Sequence, residues 1–301
     1  MSVAPTVSRI SASASCSSSP EKWKRLVRPS TKSRVLAATL VALFATLVPL
    51  IGCGGRAGAG IILAGSTSVQ PFAEILAEDY MKLHQDVNID VQGGGSASGI
   101  LAAQTGTADI GMSSRALEGD ELKLWWVEIA RDGIAMIVNP ENPVANLTSE
   151  QVRGIYAGTI TNWSAVGSPV GAIHVVARED GSGTRASFEE LVMGSDSITP
   201  KAIIQDSNGA VRQVVADDPG AIGFISLGLV DSSVKGVDLG GVAPTRDNVV
   251  NGSYRFSRPF LFVARSEPTG GVMDFVDYVL SDAGKQILGT EGLVTTGGSG
   301  Q

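Results

Sequence analysis

Residues 87–105 read VNIDVQGGGSASGILAAQT. Val87, Ile89 and Val91 alternate with polar residues, the period of a half-buried strand. Gly93-Gly94-Gly95-Ser96-Ala97-Ser98-Gly99 is a turn of small residues, and the spacing beyond it predicts a helix over 97–105. This strand, glycine-serine turn and helix form one unit, and the unit recurs on either side. Upstream, Ile61-Ile62-Leu63 leads through Gly65-Ser66-Thr67-Ser68 into a helix that carries Phe72, Ile75, Leu76, Tyr80 and Leu83 on one face. Pro71 stands in its favoured first turn. Downstream, a strand over 173–177 leads through Arg178-Glu179-Asp180-Gly181-Ser182-Gly183-Thr184 into a helix over 184–193. Strands alternating with helices predict an α/β fold with largely parallel sheets.

The rest of the chain supports that alternation. A strand is expected around 108–112, and Trp125-Trp126 reads as half-buried helix. The apolar strand 134–138 stops at Asn139-Pro140-Glu141-Asn142-Pro143, a loop signal and candidate domain boundary. Thr148-Ser149-Glu150-Gln151 caps a further helix. After a Gly/Asp-rich middle come strands at 221–225 and 259–264, and a last helix over 271–288.

The three turns share a chemistry. The first N–H groups of a helix lack intrahelical partners and sit at the positive end of its dipole, so an anion is favoured there. Glycine lets the backbone approach, and Ser and Thr hydroxyls add donors without bulk. Arg178 supplies a permanently charged planar fork suited to a tetrahedral oxyanion, with Asp180 expected to hold it. Taken singly, each turn is explained as a helix cap. Their recurrence where strands end, with an Arg at one of them, favours anion binding, because ligands of open α/β sheets collect at the carboxyl ends of strands.

Other chemistries find little support. No stretch reads G-x-x-x-x-G-K-[ST], and Gly93–Gly99 misses the dinucleotide spacing. The two histidines, His84 and His174, have no second ligand at metal spacing. Nothing local to Ser96 or Ser182 serves as the base of a hydrolase. No catalysis, metal or cofactor is expected.

Residues 35–51, VLAATLVALFATLVPLI, follow a basic cluster and precede Gly52-Cys53. A basic segment, an apolar run and a small residue at the cut describe a secretory signal, and the run is short of the roughly 20 residues of a membrane span. Leu50-Ile51-Gly52-Cys53 matches the bacterial lipobox, in which the thiol is acylated. Residues 1–52 therefore read as a lipoprotein signal peptide and 53–60 as a tether, the alternative being an uncleaved signal anchor. Both cysteines, Cys16 and Cys53, lie in this leader, so the body has no disulfide. The leader holds seven of 23 basic groups and one of 30 acidic ones, which leaves the body at −13. An acidic body argues against nucleic acid as a partner.

The segments GSTSVQPFAEILAEDY, VQGGGSASGILAAQTGTADIGMSSRAL, LTSEQVRGIYAGTITNW, REDGSGTR and DPGAIGFISLG resemble the phosphate-binding proteins of bacterial phosphate ABC transporters. The likeness runs in order from about Ile61 to the final helix. It implies a two-lobed periplasmic-binding-protein-like α/β fold of type 2, with a hinge and a ligand cleft between lobes. Lobe I would be 61–138 plus 246–301 and lobe II 139–245, the chain returning across the hinge near Pro244–Phe256. By motif, Thr67, Ser68, Ser96, Ser114, Arg178, Ser182, Gly183 and Thr184 are the implied phosphate-binding residues. Arg115 and Asp180 stand beside them. Ser114 occupies the place of an Asp that, in many members, accepts a proton from phosphate and so rejects sulfate. Arg115 has two readings, anion contact or surface salt bridge. The resemblance implies a monomeric lipoprotein that captures inorganic phosphate outside the cytoplasm and hands it to permease subunits of an ABC transporter. Alternatives are another oxyanion (sulfate, molybdate, tungstate) or a phosphate-sensing surface protein.

Overall fold

Long apolar runs such as 134–138 and 259–264 have no polar face to turn to water, and each is buried on both sides in the computed structural model, which describes residues 60–295. The segments expected to be a signal peptide and a tether, with Cys53, lie outside the described residues up to residue 59. In chain order the strands and helices are β1 (Gly60–Gly65), α1 (Gln70–Leu83), β2 (Asn88–Gly93), α2 (Ser96–Thr105), β3 (Ile110–Ser113), β4 (Trp125–Val138), β5 (Asn146–Leu147), α3 (Ser149–Tyr156), β6 (His174–Arg178), α4 (Gly183–Phe188), β7 (Ile203–Gln205), α5 (Asn208–Asp217), β8 (Ala221–Ser226), β9 (Lys235–Leu239), α6 (Arg246–Val250), β10 (Ser257–Ala264), α7 (Gly271–Leu280) and α8 (Asp282–Thr290).

The strands form a curled sheet ordered β2-β1-β3-β10-β4-β8-β6-β7, with β9 beside β4 and β5 beside β9. The strand-turn-helix units keep the predicted parallel pairing, β1 with β2 and β3, and β6 with β7 and β8. The expectation of a largely parallel sheet fails in the middle. There β10 runs antiparallel to β3 and β4, and β4 antiparallel to β8 and β9. These two strands carry the chain back through the sheet and so oppose the units on either side.

Alternation along β4 feeds two layers. Ile134, Met136 and Val138 pack with Tyr156, Trp163, Phe188 and Phe224, while Ala135 and Ile137 face Val176, Val211, Val215 and Ile225. In β10, Phe260 and Phe262 join Phe72, Leu76 and Phe275, whereas Leu261 and Val263 join Ile100 and Ala103. Cover on both faces explains why these strands read as continuous apolar runs. The packing partners change within β4. Val127, Ile129 and Ala130 belong to the core of α1 and α7, whereas from Ile134 onward the strand packs against α3 and α4 on one face and α5 on the other. Val249, Tyr254 and Phe256 also pack in this second core. The chain thus passes between cores at Gly133 and returns before Ser257, and the Ile134 N–H donates to the Phe256 carbonyl at 2.7 Å where the two passages meet.

Three local expectations are corrected. Trp125-Trp126 opens β4 and is strand, paired with Ala264 and Val263, because cross-strand partners outweigh local helical preference. The last helix is two, broken at Ser281, which ends α7 and caps α8 by accepting from the Gly284 N–H at 3.3 Å. The helix expected over 184–193 is α4 followed by one π-helical turn at Glu189–Met193. Among the described residues no helix is long and apolar enough to cross a membrane.

Candidate functional site

The three turns converge because β1, β2 and β6 end on the same cleft. At the first, Ser66 and Ser68 are buried. The Ser66 hydroxyl donates to Ser114 Oγ at 2.8 Å and accepts from the Ser68 N–H. At the second, Gly95 takes φ 87° as the N-cap of α2, a conformation open to glycine. The turn that follows presents Ser96, whose Oγ accepts from the Ser114 N–H at 3.0 Å. Ser114 follows β3, brought there by its pairing with β1 and β10. At the third, the Ser182 hydroxyl caps α4 by accepting from the Arg185 N–H. Thr184 Oγ1 lies 2.7 Å from Ser68 Oγ, which joins residues 116 positions apart. Backbones meet too: the Ala97 N–H donates to the Gly181 carbonyl at 3.1 Å.

Arg178 ends β6 and is 1% exposed. Its Nε and Nη2 donate to the two carboxylate oxygens of Glu179, each at 2.8 Å, and Nη2 also reaches Thr67 Oγ1 at 3.1 Å. Its buried Nη1 has no hydrogen-bond partner among the described residues. A permanently charged donor held in a fork by a carboxylate, with one arm left over, suits an oxyanion.

Thr67, Ser68, Ser96, Ser114, Arg178, Ser182, Gly183 and Thr184 are therefore brought together. Asp180 and Arg115 are not part of the cluster. Asp180 is exposed and pairs with Arg185 at 2.6 Å, so the clamp on Arg178 is Glu179, one residue earlier. Arg115 takes the salt-bridge reading: it donates to both carboxylate oxygens of Glu121 at 2.7 and 2.8 Å. The hydrogen bond from Arg115 holds the Glu121 carboxyl below the usual carboxylate range.

Sequence reasoning missed three residues here. Asn208, first in α5, donates from Nδ2 to Ser68 Oγ at 2.9 Å and accepts the Ser226 N–H through Oδ1. Asp132 and Arg258 stand directly opposite one another in the β4–β10 register. Arg258 Nε and Nη2 donate to Asp132 Oδ2 at 3.3 and 3.0 Å, and each side chain is 1% exposed. Burial pushes the Asp132 carboxyl up and the Arg258 guanidinium down, and each is drawn back by the other. The signal in the sequence was an Asp just before the apolar run 134–138 and an Arg just before the apolar run 259–264. For Asn208 it was the Ser207 cap inside the Gly/Asp-rich middle.

A layered sheet with two cores, and a set of hydroxyls and guanidiniums gathered where its strands end, defines a two-lobed binding protein of the type 2 periplasmic class. Comparison with known proteins agrees. The family model for the PBP superfamily domain matches residues 54–283. The phosphate-binding protein PstS of Bacillus subtilis is 31% identical over 284 residues, 87% of this chain and 94% of that one. A crystal structure described as a phosphate ABC transporter substrate-binding protein with bound phosphate, from Clostridium perfringens, is 42% identical with a TM-score of 0.76. It covers 79% of this chain and 99% of its own. An ABC-type phosphate transport receptor from Vibrio cholerae is 40% identical with a TM-score of 0.67, over 78% of this chain and all of that one. The chain belongs to the PBP superfamily, within the PstS family of phosphate-binding proteins.

Proposed function

We propose that this protein captures inorganic phosphate outside the cytoplasmic membrane and delivers it to the permease of an ABC-type importer. The observation that carries the reading is the meeting of hydroxyls from three turns, Ser68 with Thr184 and Ser96 with Ser114, and of Thr67 with the buried Arg178, whose Nη1 has no partner among the described residues. The similarity to relatives named as phosphate-binding proteins supports it. In this reading Arg178 supplies charge, and Thr67, Ser68, Ser96, Ser114, Ser182 and Thr184 donate hydrogen bonds. Gly183 keeps its backbone N–H accessible. Many neutral donors with a compensated Arg give micromolar binding, which needs only about −8 kcal/mol in total. The two cores act as lobes, close to 61–133 with 257–295 and 134–256, that hinge on the paired passages at Gly133 and Phe256. Cys53 carries the lipid anchor, the protein works as a monomer, and it performs no chemistry on its ligand.

Calorimetric titration of the purified protein, stripped of endogenous anion, tests this. Phosphate binds at micromolar or tighter affinity, and Arg178→Ala weakens binding by about 100-fold or more. Failure of the wild type to bind phosphate overturns the assignment. Ser114, a hydroxyl where a proton-accepting carboxylate stands in many relatives, favours a second reading, capture of another dianion. Sulfate in the same titration separates the two.

A further inference from the structure

Building on the oxyanion reading, we propose that Arg258, held by Asp132, is a second cationic determinant of the anion site, acting through the hydroxyls of Ser68 and Ser114. A buried Arg–Asp pair opposite each other in a sheet is adequately explained as structure, so the weight rests on where the remaining donors go. Asp132 engages Arg258 through Oδ2 alone. That leaves Nη1 to donate to Ser114 Oγ at 3.3 Å, and Nη2 also donates to Ser68 Oγ at 3.1 Å. Both acceptors are among the residues assigned to phosphate.

Counting lone pairs shows what this does. A serine hydroxyl has one proton and two acceptor positions. Ser68 Oγ receives N–H groups from Asn208 and Arg258, which fills both, so its proton is the one that bridges to Thr184 Oγ1 at 2.7 Å. Ser114 Oγ receives Ser66 Oγ–H and Arg258 Nη1, so its proton is directed to Ser96 Oγ at 3.3 Å. Arg258 therefore fixes both hydroxyls as donors, Ser68 toward Thr184 and Ser114 toward Ser96, before an anion arrives. Preorganised donors do not have to reorient on binding, so more of each hydrogen bond remains as affinity. Ser114, unlike the carboxylate it replaces, is then a donor and takes no hydrogen bond from the anion. Asp132 offsets the charge of the guanidinium, but the positive end of the pair faces Ser68 and Ser114, so the pair presents a weakly screened positive potential to the anion in a buried site.

Arg258 is a positioning residue, so its test needs a readout beyond lost affinity. Phosphate titrations of wild type, Arg258→Gln, Arg258→Lys and Asp132→Asn would be run between pH about 5.5 and 8, with thermal unfolding of each protein alongside. The expected result is about 10- to 100-fold weaker binding for Arg258→Gln, with partial recovery in Arg258→Lys and an intermediate loss in Asp132→Asn. The deficit of Arg258→Gln grows with pH as phosphate passes from monoanion to dianion, since the missing charge interacts with twice the ligand charge. In Ser68→Ala the Arg258→Gln deficit shrinks, because part of the pathway is already gone. Wild-type-like binding by a folded Arg258→Gln at all pH values overturns the proposal, and so does a deficit that is independent of pH. If Arg258→Gln does not fold, the pH dependence of Arg258→Lys and Asp132→Asn decides in its place. Wild type in the same series keeps the two readings apart: its failure to bind removes the oxyanion assignment itself, whereas wild-type binding with an indifferent variant removes only the role of Arg258.

Discussion

Gly183 sits where a side chain has no room. A Cβ added there would lie 2.2 Å from Ser96 Oγ and 2.7 Å from Ser114 Oγ, residues that reach it from the other core. The neighbours of that Cβ belong to the cleft, so strain falls on closure. Gly183→Ala is expected to weaken phosphate binding at least about 10-fold and to shift the unfolding midpoint of the ligand-free protein by under about 2 °C. Calorimetry and thermal denaturation check this; an unaltered dissociation constant means the turns do not close as described. Residues like these were legible because each belongs to a local motif: hydroxyls beside glycines at a helix start, and an Arg at a strand end. The clamp on Arg178 was misread by one position. Sequence proximity offers Glu179 and Asp180 equally, and only side-chain direction selects Glu179.

At the scale of elements, α2 lies directly on β1 and β3 by means of glycines. A Cβ on Gly99 would stand 2.5 Å from the Ala64 carbonyl oxygen and 2.6 Å from Gly65 Cα, both backbone atoms that cannot swing aside. Gly99→Ala must lift the helix off the sheet. It is expected to cost about 1–3 kcal/mol of stability, read as a lower midpoint in urea. Displacement of α2 also moves Ser96, so affinity falls with stability, unlike in Gly183→Ala. An unchanged urea midpoint rules out this helix–sheet contact. The strand-turn-helix units could be read from sequence because their period changes from two to 3.6 across a glycine turn. The Trp125-Trp126 pair and the break at Ser281 could not, since the first depends on pairing with β10 and the second on one hydroxyl serving two helices.

Cleft contacts such as Ser68–Thr184 and Arg178–Thr67 link the two cores, while among the described residues two backbone passages join them. A ligand that bridges both sets of donors favours the closed form by its differential affinity for it. Small-angle scattering is expected to give a smaller radius of gyration with saturating phosphate than without. The melting temperature rises too, as binding at 100 times Kd adds about 2.7 kcal/mol. A radius indifferent to phosphate would sink the hinge, while leaving the site itself intact.

The sequence by itself determined the class of fold, the three turns and most of the hydroxyls, because each of these is written in neighbouring residues. Periodicity, helix capping and glycine conformation are local physics. Only the tertiary structure decided that the middle of the sheet is antiparallel. It also decided which acid holds Arg178, and that Asp132 and Arg258, 126 positions apart, stand opposite each other beneath the same hydroxyls. Strand register and side-chain direction set those contacts, and both arise from packing the whole chain at once.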